Sequence, residues 1–355
     1  MKEWLEALRH SDNEINNLTE IHVSGTKGKG STCAFTRSFL RAHGLKTGFS
    51  RRIELYTSPH LQSVRERIQI DDSPVPEDIF ARYFFEVWDC VMTPDTELDS
   101  TVGRTPRYLQ LLALLAFHTF VEEKVDAAIF EVHHGGEYDA TNVIQGPVVT
   151  GIASLRLDPV AQLGPTVETI AWHKAGIFKY GAPAFSVVQE PVCTEVMRSL
   201  PTDGRLLSIP VQRLNCSLAL ELTKAFLRAK APDHIIGLGD IQHGIEHFSW
   251  AGRFEIIEEG NLRWFVDGAH NILSLEQAAK WFGMNVNNSQ CRILIFSHLS
   301  KARDGISLVQ ALARALTKRE CCKRDRDWGE KCGYTCHGKL TFGWRRSRVS
   351  KTVIG

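Results

Sequence analysis

Three glycines and two lysines fall within the seven residues Gly25–Ser31, "GTKGKGS". Residues of these types, set between a strand and a helix, can hold phosphate. Backbone N–H groups and the helix N-terminus meet phosphate oxygens, glycines let the backbone approach, and a lysine reaches the terminal phosphates. The strict pattern G-x-x-x-x-G-K-[ST] is not met, because Val23 stands at its first position and Gly30 where a hydroxyl residue belongs; Ser31 supplies the hydroxyl one step later. A flexible turn is the plainer reading of such a loop taken by itself.

Two other groups of side chains have metal-binding types. "HGIEH", His243–His247, spells H-x-x-E-H, which binds zinc only on an uninterrupted helix; Gly244 and the nearby "GLGD" place it in a boundary loop instead. Cys321, Cys332, Cys336 and His337 could share a zinc ion, but their spacing matches no standard finger. The plainer reading there is an irregular end outside the folded core.

The elements that must position the glycine loop are legible around it. "TEIHV" reads as the strand before it, and "STCAFTRSFLRAHG" as the helix after it, with Phe35, Phe39 and Leu40 on one face and Gly44 as C-cap. "TPRYLQLLALLAFHTFVEEK" reads as a largely buried helix, Thr105 and Pro106 serving as cap and first-turn residue. The strands "VDAAIFEV" and "GPVVTGIASL", the helix "TVETIAWHKAGIF", the strand "APAFSVV" and the helix "NCSLALELTKAFLRA" follow. Continuous Val/Ile runs point to strands covered on both faces, hence a mostly parallel sheet of α/β class. After "FSWAGRF" a second cycle runs through the strand "LRWFVDGAH", the helix "SLEQAAKWFGM", the strand "CRILIFS" and the helix "GISLVQALARALTK". The expected division is 1–245, 246–318 and an irregular basic tail, 319–355, with ten Lys or Arg against four Asp or Glu.

At 355 residues the chain is long enough for two domains of about 100–200 residues each. With 43% apolar and 23% charged residues and a net charge of +1, nothing draws it to nucleic acid or to a membrane surface. The longest apolar run, Leu111–Phe117, is far short of the ~20 residues that span a bilayer. Scattered single cysteines suit a reducing, cytoplasmic setting.

"GTKGKGS", "TSPHL" with "VRERI", "EV" leading to "GGEYDATN", "WHKAGIFK", "WAGRFE" and "DGAHN" occur in this order. The series closely resembles folylpolyglutamate synthase, of the Mur-ligase superfamily of ATP-dependent amide ligases, from about Glu14 to about Thr317. The resemblance implies a P-loop nucleotide-binding α/β domain, a smaller, incomplete Rossmann-like C-terminal domain, and an active site between them. It implies ATP and Mg2+ as cofactors, a reduced folate and L-glutamate as substrates, and a monomer that is cytoplasmic or mitochondrial. The γ-carboxylate of a folate would be phosphorylated by ATP, and the amine of glutamate would attack the acyl phosphate.

Carried over residue by residue, Gly25, Thr26, Lys27, Gly28, Gly30 and Ser31 form the phosphate cradle and Lys29 meets the β/γ-phosphates. Ser58 and Glu131 match magnesium ligands. Lys174 matches a lysine that the family carbamylates, though by itself it reads as a helix-surface lysine. Arg253 would contact phosphates, Asp267 and His270 match residues holding the ribose and terminal phosphate, and Asn215 faces adenine or is a helix N-cap. Several positions depart from the pattern. Pro159 stands where a metal-binding histidine is expected, with Asp158 beside it, and Ala251 replaces a usual proline. His133 and His134 replace a glycine-led turn, by simple divergence in the plainer reading or else to crowd the cleft or add ligands, and about six extra residues precede Ser58, enough to displace it. A non-catalytic nucleotide-binding paralogue, or a ligase for another carboxylic acid, therefore stays open beside the folate ligase.

Overall fold

The computed structural model describes residues 1–92, 105–155, 163–187, 209–286, 293–297 and 304–324. The chain divides into two compact units, which meet in sequence between Ala251 and Gly252.

The first unit is built on a seven-stranded sheet. Its strands are β1 (Glu20–Ser24), β2 (Ile53–Tyr56), β3 (Ile68–Ile70), β4 (Ser73–Pro74), β5 (Ala127–Glu131), β6 (Val149–Ile152) and β7 (Ala184–Ser186), in the order β4-β3-β2-β5-β1-β6-β7. The five strands from β2 to β7 pair in parallel, while β3 and β4 add an antiparallel edge. Every residue of β1, β2, β5 and β6 is buried, as expected of a parallel sheet with helices on both faces. One face carries Ile21, Val23, Ile53, Leu55 and Ile129 against α3 (Lys29–Thr47) and α7 (Pro210–Lys230), through Phe35, Phe39, Leu40 and Phe226. The other carries Tyr56, Ala128 and Phe130 against α5 (Tyr108–Glu122). There the Phe130 ring lies 4.6 Å from Phe117 and 5.1 Å from Phe120, so truncating it to Ala would cost about 3–5 kcal/mol. The helices α1 (Lys2–Ala7), α2 (Asp12–Asn17) and α4 (Glu77–Met92) close that face. The remaining helices of this unit are α6 (Val167–Ala175) and α8 (Leu238–Glu246).

Three local expectations are corrected. Helix α3 does not stop at Gly44 but runs to Thr47, capped by Gly48 at φ +80°. Gly44 is there for space, since a Cβ would sit 2.6 Å from the Ser50 carbonyl where the chain folds back over the helix. Helix α5 begins at Tyr108 rather than after Thr105, because the Gln110 side chain accepts the Arg107 N–H and closes the first turn. "HGIEH" lies on helix α8, not in a loop. Gly244 does not break the helix; it lets the helix approach Phe39, whose ring atom would be 2.7 Å from a Cβ there.

The stretch Phe248–Trp250 packs on the first unit: the Phe248 ring stacks 3.7 Å from Phe35, and Arg37 lies over Trp250.

In the second unit, β8 (Glu255–Glu259) and β9 (Leu262–Val266) form an antiparallel hairpin turning through Gly260 at φ +57°. Helices α9 (Ile272–Asn285) and α10 (Gly305–Arg324) pack through Leu275, Ala279, Leu308 and Leu312. The expected strand "CRILIFS" is not formed over its described part. Leu294 and Phe296 pack on the helices while Ile293 and Ile295 are exposed, the alternation of an extended segment without a sheet partner among the described residues. Among the described residues no helix is long and apolar enough to cross a membrane.

Candidate functional site

The glycine loop joins the end of β1 to the start of α3. Gly25, at φ +148°, passes so close to Ala153 that a Cβ would lie 2.9 Å from the Ala153 methyl. The Thr26 and Lys27 amides donate to the Ser154 carbonyl at 2.9 and 3.2 Å, which fixes the first half of the loop. Gly28 then takes φ +88° and N-caps α3 with no side-chain cap. The first-turn amides of this helix therefore face the loop without a side-chain acceptor, at the end where the helix dipole is positive. Ser31 is buried in that first turn.

Two ammonium groups meet in this loop. Lys29 Nζ lies 3.1 Å from the Gly25 carbonyl oxygen, and Lys174 Nζ lies 2.9 Å from the same oxygen. Lys174 is 2% exposed, so it is not the helix-surface lysine that its neighbours suggest. Its helix, α6, is drawn inward by glycines. A Cβ on Gly136 would be 2.5 Å from the His173 carbonyl, and Glu137 N donates to that carbonyl at 2.7 Å.

Glu131, at the end of β5, stands beside the loop, with Oε1 4.0 Å from Lys29 Nζ. Its Oε2 accepts from the Thr57 hydroxyl and, at 3.1 Å, from the Ser58 amide. The residues ahead of Ser58 thus do not displace it: they form β2, paired in parallel with β5, and deliver Ser58 to Glu131. Gly30 leaves room here, since a Cβ would be 3.2 Å from Glu131 Oε2 and 3.3 Å from the Trp250 ring.

His133 is held at both ring nitrogens. Its Nε2 lies 2.6 Å from the Tyr56 hydroxyl and its Nδ1 3.3 Å from Asp139 Oδ1. Burial alone would raise the Asp139 carboxyl. The hydrogen bond and charge of His133, with the His134 and Thr141 amides, outweigh burial and bring it down to about 2. Behind it, burial lowers His22 to about 4, Asp139 opposing, and His22 Nε2 lies 2.9 Å from the Thr141 hydroxyl. The sequence reading missed Tyr56, Thr57 and Asp139; only the adjacency of Thr57 to Ser58 gave a hint.

Asn215 is not an N-cap. Helix α7 starts at Pro210 with Ile209 as its cap, and Asn215 is buried one turn in, where its Nδ2 donates to Gln212 Oε1 at 2.9 Å. Its Oδ1 would be 2.2 Å from a Cβ on Gly28, so this side chain packs directly on the glycine loop.

Within the second unit, Arg253, Asp267 and His270 gather around Gly268. A Cβ on Gly268 would be 2.0 Å from Arg253 Nη1, and His270 Nδ1 lies 3.0 Å from the Gly268 carbonyl. Burial raises the Asp267 carboxyl, against the Phe254 amide, which it accepts at 2.9 Å, and the charge of Arg253.

The comparisons bear on this arrangement. No protein-family model matches the chain. It is 43% identical over 304 residues to the folylpolyglutamate synthase of Neurospora crassa, covering 79% of this chain and 58% of that protein. It is 38% identical over 349 residues to that of Saccharomyces cerevisiae strain FostersO, covering 88% of this chain and 62% of that protein. The chain belongs to the folylpolyglutamate synthase family. It spans about three-fifths of the length of these curated relatives. Among solved structures, the apo form of the L. casei synthase superposes with a TM-score of 0.71 at 25% identity, over 88% of this chain and 80% of that one. A synthase complex with AMPPCP and folate gives 0.69 at 25% identity, over 88% and 81%. The Mycobacterium tuberculosis synthase complexed with ADP gives 0.63 at 26% identity, over 79% and 68%.

The α/β fold with a mostly parallel sheet and a smaller C-terminal unit is that of the synthase family. Asp158 and Pro159, and the side chains of Cys321, Cys332, Cys336 and His337, lie outside the described residues. His243 and His247 stack 4.0 Å apart on the surface of α8, and His247 Nδ1 lies 2.9 Å from the His243 carbonyl.

Proposed function

We propose that this chain is an ATP-dependent ligase that adds L-glutamate to the γ-carboxylate of a reduced folate. The observation that carries the reading is the convergence of Lys29 and Lys174 on the Gly25 carbonyl, at 3.1 and 2.9 Å, beside an uncapped helix start. Lys29 and Lys174 bring positive charge to a helix N-terminus, offset in part by Glu131 4.0 Å from Lys29, and a nucleotide's terminal phosphates have the charge and the oxygen count to fit. The relatives' names add the reaction, and the solved complexes with ADP, AMPPCP and folate add the ligand classes.

The amides from Gly28 to Ser31 bind phosphate oxygens, with Gly25, Thr26 and Lys27 shaping the turn before them. Lys29 neutralises charge on the β/γ-phosphates as it develops. The hydroxyl of Ser58 and the carboxylate of Glu131 are a hard oxygen donor set and would hold Mg2+. That ion supplies positive charge to the phosphate oxygens and fixes their orientation. Lys174 occupies the position that the family carbamylates. Asn215, packed on Gly28, contacts the nucleotide, and Arg253, Asp267 and His270, gathered around Gly268 in the second unit, occupy the positions by which the family holds phosphate and ribose. The folate's γ-carboxylate oxygen attacks the γ-phosphorus and ADP leaves; the amine of glutamate then attacks the acyl carbon, gives up a proton, and inorganic phosphate leaves.

The deciding experiment incubates the purified protein with ATP, Mg2+, tetrahydrofolate and labelled glutamate and measures ADP and glutamylated folate together. Both products are expected in equal amounts, and Lys29→Ala should abolish both. ADP dependent on another acid, without folate product, would replace the substrate assignment. Nucleotide binding with neither product would favour a non-catalytic paralogue.

A further inference from the structure

His10, His118 and Glu122 meet on the α5 side of the first unit, and no step of the ligase reading uses them. Their donor atoms, one from each side chain, all lie within 4.8 Å of one another. His118 and Glu122 are four residues apart on α5, so both project from one face of that helix. His10 comes from the connection between α1 and α2. It follows Arg9, which is held at φ +63°, an uncommon conformation for a side-chain-bearing residue that turns the chain toward α5. His10 Nε2 lies 2.7 Å from His118 Nδ1.

We propose that these three side chains form a zinc site that clips the N-terminal helices to α5. Two imidazole nitrogens and one carboxylate oxygen are a donor set that suits Zn2+, with water completing a tetrahedron. The ring of His118 is already oriented for this. Its other nitrogen, Nε2, lies 2.8 Å from Glu86 Oε2 on α4, and Tyr83 meets the ring edge-on with centroids 5.2 Å apart. A carboxylate behind a histidine in this way fixes which nitrogen faces the metal and strengthens it as a ligand. Both imidazoles are buried, whereas Glu122 is exposed, which gives the ion a way in.

In the metal-free state the two nitrogens share a proton. Nitrogens that share a tetrahedral zinc at ~2.0–2.1 Å lie roughly 3.3 Å apart, so the rings must separate by about half an ångström. The proton between the rings is relocated through solvent to His10 Nδ1 as the ion takes its place, so both rings bind as neutral imidazoles. A histidine pair held only by a hydrogen bond predicts none of this metal dependence.

The test uses the full chain, freed of metal with a chelator, titrated with Zn2+ by calorimetry and with Co2+ by visible absorption. One ion per chain is expected at this site, with tetrahedral Co2+ bands and a higher melting temperature in Zn2+. Glu122→Gln, an exposed change that leaves folding intact, and His10→Gln should each weaken Zn2+ binding about tenfold or more and remove the melting shift. Glu86→Gln should weaken it about tenfold without changing the stoichiometry. Wild-type Zn2+ affinity in both His10→Gln and Glu122→Gln places the ion elsewhere and overturns the proposal. So does a chain that binds no Zn2+.

Discussion

The Tyr56 hydroxyl lies 2.6 Å from His133 Nε2, and this contact ties the strand leading to Ser58 to the segment that follows Glu131. Tyr56 is fully buried. Tyr56→Phe would leave a buried imidazole nitrogen without its partner, at a cost of about 1–3 kcal/mol. Urea unfolding should show a lower midpoint at an unchanged m-value. The interaction energy from a double-mutant cycle with His133→Leu should exceed about 0.5 kcal/mol; additive effects would mean that the contact contributes nothing specific.

Glu131→Gln separates folding from ligand charge. The side-chain oxygen of a glutamine can still accept from Thr57 and Ser58, so the loop geometry survives, but the negative charge beside Lys29 is lost. The melting temperature should change by only a few degrees. Binding of Mg-ADP should weaken about tenfold or more, since a hard cation loses its charged ligand. Unaltered Mg-ADP binding by calorimetry would remove Glu131 from the metal set.

Gly28→Ala tests the turn into α3. At φ +88° an alanine costs roughly 1–2 kcal/mol in backbone strain, and its methyl would lie 2.2 Å from Asn215 Oδ1. Both stability and nucleotide binding should fall. Gly239→Ala is the matched control. It lies on α8 with nothing within 4 Å of the added carbon, so it should be neutral or stabilising by up to about 1 kcal/mol. Equal effects of the two changes would refute the steric account.

These contrasts mark what can be read from residue order. The strand–loop–helix around Lys29 was legible because glycine spacing and apolar runs are local signals, and β5 and β6 are built on the short, largely apolar runs "AAIF" and "PVVTGI". The burial of Lys174 was not legible. It depends on Gly136 and Gly176 bringing α6 against the loop at Glu137, a contact between distant segments. Gly44 and Gly244 were misread for the same reason. Each looks like a helix stop locally, yet each is small to admit a neighbour, the returning chain in one case and Phe39 in the other. The part played by His133 is not legible in the sequence, because Tyr56 reaches it only once β2 has paired with β5.

Two carboxyls set the expected pH dependence of folding. Glu54 on β2 and Glu20 on β1 are both opposite Ala128 of β5, fully buried on the face that carries Phe130. Burial raises Glu54 to about 9, with Arg52 opposing and Glu123 and Asp71 adding to the rise, and burial raises Glu20 well above its usual range. A carboxyl whose folded value lies above its unfolded value of 4.5 holds a proton in the folded state that the unfolded chain has released. Its contribution is complete below that value and is lost as pH rises toward about 9, at no more than about 1.4 kcal/mol per pH unit for each group. The melting temperature should therefore fall from about pH 7 to pH 9, while below the ordinary histidine value of 6.5 the buried His22, lowered to about 4, gains stability with rising pH and offsets the fall. Glu54→Gln, neutral at every pH, should match the parent near pH 5 and melt progressively higher than it toward pH 9, with the remaining slope coming from Glu20. Parallel melting curves for parent and variant across that range would show that Glu54 is already ionised in the folded protein.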